Sequence, residues 1–142
     1  MRLYPSDDRS ASFVSLERGE DLLEGLHQAV QELGYQAATL QVIGGLEEAV
    51  LGYFDPQAKD YVTVPTGHVE IASGLGNVSL RDGEPFIHLH LVVSGRDGAA
   101  LGGHAMKGCR AFVVEAYLRA LAGPPPVREE SQAHGLKVWP GS

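Results

Sequence analysis

The chain is poor in the features that mark several large protein classes. It has a single cysteine, Cys109, so no internal disulfide can form and a disulfide-stapled secreted scaffold is excluded. No apolar run approaches the ~20 residues that cross a bilayer as a helix. The opening Met1-Arg2-Leu3-Tyr4-Pro5-Ser6-Asp7-Asp8 carries no apolar stretch of the kind a secretory leader needs. Cationic side chains are scarce: 11 Lys and Arg stand against 18 Asp and Glu, a formal net charge of -7. Polyanion binding works by releasing counterions from phosphates and needs clustered Lys and Arg. Arg81, Arg96, Lys107, Arg110 and Arg119 are instead scattered among acids, which disfavours a uniform grip on DNA. No Gly-x-Gly-x-x-Gly opens a helix, no P-loop occurs and no Gly-x-Ser-x-Gly elbow occurs, so nucleotide-cradle and acyl-transfer chemistry have no anchor. These absences describe a protein of the reducing cytoplasm with no membrane partner.

Among 142 residues, 44% are hydrophobic, 20% are charged and 18 are glycine. The length suits one domain that buries a sizeable core without a staple. It reads as a core over residues 12–121 followed by a Pro-rich turn and tail over 122–142. The glycine content points to tight turns and a β-rich chain.

One helix is legible. Leu22, Leu26, Ala29, Val30 and Leu33 recur at spacings of three and four, Asp21 with Glu24 resembles a capping box, and Gly34 stands where a helix would end. Strands are expected at 12–16, 37–43, 46–54, 59–64, 69–73, 78–80, 86–93 and 99–104. Gly44-Gly45 is expected to break the second from the third, Pro65 to stop the run at 59–64, and Gly74–Asn77 to interrupt the next. The segment 109–121 fits either period and stays open as helix or strand. A last short strand is expected near Leu136, Val138 and Trp139.

Six histidines occur. In Phe86-Ile87-His88-Leu89-His90-Leu91-Val92-Val93, His88 and His90 alternate with an entirely apolar set. On a strand both imidazoles project from one face, about 7 Å apart at Cα, while Ile87, Leu89, Leu91 and Val93 face a core. Leu101-Gly102-Gly103-His104 brings a third imidazole one hairpin later, and a return around Ser94–Gly98 places His104 opposite His88. Three imidazoles with an open fourth position suit Zn²⁺, and the same donors suit Ni²⁺, Cu²⁺ or Fe²⁺. Glu70, two residues after His68 on one strand face, is the candidate catalytic carboxylate should the site be hydrolytic. Cys109 could close a zinc site as a thiolate, but reads better as a small buried residue. His27 reads as packed against or beside the helix, and His134 as solvated.

The His-x-His and the Gly-Gly-His, with Arg18–Asp21, Gly44-Gly45 and Gly67–Gly74 before them, resemble the signature of the plants and prokaryotes conserved (PPC) domain family. The resemblance covers roughly 12–121. It implies an α+β fold, a mostly antiparallel sheet with helices packed on it, in which the segment after Gly-Gly-His is a strand. It implies a homotrimer, and a divalent metal, commonly zinc, on His88, His90 and His104. Plant members join the domain to AT-hooks, the source of a DNA-binding or transcription-associated label. This chain has no Arg-Gly-Arg-Pro, and it reads Gly67-His68-Val69-Glu70-Ile71 where plant members carry Gly-Arg-Phe-Glu-Ile. Three functions follow as expectations: a metal-binding trimeric module, a small metal-dependent enzyme, and, less favoured by charge, a DNA-binding protein.

Overall fold

The computed structural model of the chain describes residues 1–140. Its strands are β1 (Arg2–Pro5), β2 (Ala11–Leu16), β3 (Ala38–Asp55), β4 (Asp60–Thr66), β5 (Val69–Arg81), β6 (Glu84–Ser94), β7 (Ala100–Ala105), β8 (Arg110–Ala120), β9 (Val127–Glu130) and β10 (Lys137–Val138). One helix, α1 (Leu22–Leu33), lies between β2 and β3. All ten strands belong to one sheet.

This corrects the expected α+β class. Strand makes up 59% of the chain and helix 9%, so the helices expected on the sheet reduce to one of 12 residues. The physical reason lies in the pattern. Only 22–33 joins a 3.6-residue apolar stripe to a capping Asp and a terminal Gly, and along the strands buried and exposed residues largely alternate with period two. The open segment resolves to strand β8, whose Ala111, Val114, Ala116 and Leu118 are buried.

Helix α1 begins where its sequence signals it. Asp21 Oδ1 accepts from the Leu23 and Glu24 amides, and Oδ2 accepts from the Gly108 amide at 2.8 Å, so one carboxylate caps the helix and ties down the loop before β8. Gly34, in a left-handed conformation, closes the far end. Leu22, Leu26, Ala29 and Val30 are fully buried and share one core with Val14, Leu16, Leu89 and Leu118.

Gly44-Gly45 does not break the chain's extended run. β3 passes through it for 18 residues, and the irregularity appears as register shifts against β5 and β8. Such bulges bend a strand without ending it. Gly44 has φ +122°, and a Cβ there would fall 2.2 Å from the Val113 carbonyl oxygen. The bend lets one half of β3 pair with β5 and β8, and the other half with β4 and β7. The β3–β7, β7–β6, β6–β5 and β5–β3 ladders therefore close a ring. β5 is likewise continuous, its shift falling between Ile71 and Ser73. Pro65 sits inside β4 rather than ending it, which is tolerated because β4 pairs only with β3.

Two strands carry no sequence signal. β1 pairs with β2, and β9 runs parallel to β5 with Leu80 opposite Val127 and Arg81 opposite Arg128. Short, charged or proline-bearing segments of this kind become strands only because an edge is available to them.

Candidate metal centre

Strand β6 buries Ile87, Leu89, Leu91 and Val93, so alternation turns His88 and His90 to the outer face of the sheet. Strand β7 brings in the third ring. The hairpin closes on Ser94 and Ala100, across a loop in which the Gly95 amide donates to the Ala99 carbonyl. His104 therefore stands directly opposite His90, not opposite His88, because the hairpin starts one residue later on each strand than its turn residues suggest. The triad still converges. Ring centroids lie 5.1 Å apart for His88–His90, 5.1 Å for His88–His104 and 5.4 Å for His90–His104. One nitrogen from each ring lies within 4.8 Å of the others.

A small residue is required beside the third ring. A Cβ on Gly103 would come 3.0 Å from the Gly52 carbonyl oxygen, so this glycine allows β7 to lie close against β3. The Tyr61 ring then covers His104 at 5.4 Å between centroids.

The electrostatics favour neutral donors. Burial, then the neighbouring His104, Arg128 and His90, pushes the His88 pKa down from 6.5 to about 4. Burial, then His90 and Arg128, pushes His104 down as well. Both rings are neutral at pH 7, with a lone pair available, which is the form that binds metals. The His88 and His90 Nε2 atoms approach to 3.2 Å. His104 Nδ1 is buried with no hydrogen-bond partner, and an orphaned buried acceptor is costly unless a ligand satisfies it. The residues present therefore fit a divalent ion.

The remaining candidates do not join the triad. Glu70 pairs with Gly45 and Ser94, four residues along β6 from His90, or about 13 Å of strand. His68 packs edge-on against Phe112 at 5.3 Å. Cys109 is fully buried, donates to the Val50 carbonyl at 3.4 Å, and has its thiol pKa raised by burial. His27 Nε2 sits 3.2 Å from the Pro85 carbonyl, and His134 Nδ1 accepts from the Leu136 amide.

The residue that sequence reasoning missed is Arg128. It is 9% exposed, donates from Nε to Ser79 Oγ at 2.9 Å and from Nη2 to Asn77 Oδ1 at 3.0 Å, and places Nη2 3.4 Å from His88 Nδ1. In sequence it opens Arg-Glu-Glu, which reads as a solvated charge run. Only the parallel pairing of β9 with β5 turns it inward. Around it, His88, His104, Tyr61, Met106 and the 135–138 segment line a cleft of about 590 Å³.

Comparison with known proteins bears out the family resemblance. A model of the Plants and Prokaryotes Conserved (PCC) domain matches residues 6–122. The chain belongs to this family. A metal-containing protein of Archaeoglobus fulgidus is 32% identical, with 99% of this chain and 97% of that one covered at a TM-score of 0.86. A plant- and prokaryote-conserved protein of Pyrococcus horikoshii is also 32% identical, with 99% and 96% covered at a TM-score of 0.88. The bifunctional protein GlmU of a Synechococcus strain is 32% identical over 110 residues, which make up 77% of this chain. The chain spans 15% of the length of that curated relative.

Proposed function

We propose that this PCC domain is a metal-binding module that holds a divalent ion, zinc by preference, on His88, His90 and His104. The convergence of three imidazole nitrogens within 4.8 Å carries the reading. The neutral state of His88 and His104 and the unpartnered Nδ1 of His104 support it. Three nitrogen donors leave a tetrahedral ion one open position. A divalent ion held so would act as a Lewis acid toward whatever occupied that position. The hydrolytic alternative loses its nominated base, since Glu70 stands at the other end of the ladder.

The same outer face supports self-association. Phe13, Tyr117, Gln41, Leu75, His90 and His104 form one continuous cross-strand row. Phe13, Leu75 and the nearby Ile43 are each more than half exposed. Exposed apolar residues grouped on a sheet face mark an interaction surface, and we assign it to further copies of this chain in a homotrimer. The net charge of -7, multiplied on assembly, disfavours DNA as the partner.

Elemental analysis of protein purified without added metal tests the centre. The wild type should carry close to one ion per chain, and the His88→Ala/His90→Ala double variant should carry almost none. Equal metal content in the two preparations would end the assignment.

A further inference from the structure

The cleft beside the triad holds a charge that the metal reading does not use. Arg128 is nine-tenths buried, yet neither it nor its neighbour Arg81 has a carboxylate partner among the described residues. The one acid lining the cleft, Asp82, is taken by Lys137 at 2.5 Å. Both guanidiniums lie over the Phe86 ring, Arg81 at 3.9 Å and Arg128 at 5.2 Å. Arg128 has five N–H donors. Three meet oxygen acceptors on Ser79, Asn77 and Lys137, one faces His88 Nδ1, and one meets no acceptor.

A buried cation is normally paired, and in a chain of net charge -7 two unpaired arginines at one cleft stand out. The triad cannot supply the missing charge, because an imidazole donor is never an anion at ordinary pH, and a divalent ion there would add two more positive charges. What the site lacks is an anion.

We propose that this cleft is an anion subsite, in which Arg128, assisted by Arg81, binds the carboxylate or phosphate group of a small organic ligand lying beside the metal. The N–H of Arg128 that meets no acceptor, with the Arg81 guanidinium beside it, would donate charge-assisted hydrogen bonds to such an oxyanion. Ser79 and Asn77 fix its orientation beforehand, so little ordering is needed on binding. The roughly 590 Å³ of space falls within the range of small-molecule sites. The placement beside a metal rests on the reading above, whereas the anion contact itself does not.

The chain contains its own reporter. Its single tryptophan, Trp139, has its ring 5.3 Å from the Arg128 guanidinium. The experiment is a tryptophan-emission titration with sodium acetate and, separately, inorganic phosphate, on zinc-loaded and on chelator-stripped protein, with chloride matching the ionic strength. At least one of the two anions should give a saturable change. Phosphate alone would identify the ligand group as a phosphate, and acetate alone as a carboxylate. Affinity should fall roughly tenfold in Arg128→Lys, which keeps the charge and loses the planar guanidinium that Ser79 and Asn77 hold in place, and saturation should vanish in Arg128→Gln. Circular dichroism of both variants checks that they are folded.

If neither anion gives saturation in the wild type, or if folded Arg128→Lys titrates like the wild type, the subsite does not exist. A saturable, Arg128-dependent signal in protein that takes up no zinc when zinc is supplied would leave the subsite standing and remove the metal reading. Full zinc content with no such signal would do the reverse.

Discussion

His88 links the chemistry of the centre to the stability of the fold. Its ring is held neutral down to about pH 4 by burial and by surrounding positive groups, whereas in an unfolded chain it would protonate near 6.5. Between those values the unfolded state binds a proton that the folded state refuses. Stability therefore declines as pH falls from about 6.5 to about 4, and this contribution is fully present above that window. Metal-free protein should show a denaturant midpoint that falls across the window, and His88→Gln should show a shallower decline, because the His88 share of the proton uptake on unfolding is then gone. Equal slopes for the two proteins would mean that the ring titrates normally. His104 acts in the same direction.

At the scale of elements, the centre depends on how closely three strands approach. β7 is pinned between β6 and β3 at Gly103, which lies opposite Leu91 and against the Gly52 carbonyl. Gly103→Val should push β7 away from β3, cost about 1–3 kcal/mol as an overpacked contact, and reduce retained metal because His104 moves with the strand. Thermal melts and elemental analysis read the two effects separately. Unchanged metal content would show that the ring position does not depend on this contact. Helix α1 serves the site indirectly. The Asp21 carboxylate caps it and also holds the Gly108 amide, which fixes the turn between β7 and β8.

At the scale of the whole molecule, the proposed trimer rests on the outer sheet face. The exposed side chains of Phe13, Ile43 and Leu75 share it with the three histidines. Light scattering at micromolar concentration should give three times the chain mass of 15.1 kDa. Ile43→Asp should shift the population toward monomer, since charge on a buried apolar patch is costly. A stable wild-type monomer would refute the trimer. A mobility-shift titration at low salt with an A·T-rich duplex should show no complex at micromolar protein. A retarded band would overturn the charge argument. Among the described residues, no helix is long and apolar enough to cross a membrane.

The helix, its cap, the alternation of β6 and the family were legible in the sequence, because each rests on local spacing. A 3.6-residue stripe with a capping Asp before it and a Gly after it is a helix signal carried by neighbouring residues, and a strand with one apolar face must turn the other face out. The His-x-His and Gly-Gly-His could be read for the same reason. Strand continuity through Gly44-Gly45 could not, because a bulge is distinguished from a break only by whether partners exist on both sides. The direct pairing of His90 with His104 depended on where the hairpin closed, and the inward turn of Arg128 on a parallel edge some fifty residues away. Sequence alone determined which donors the chain carries and which way β6 presents two of them. Tertiary structure decided how they meet, since closing the strands into a ring brings together groups whose proximity no local period encodes.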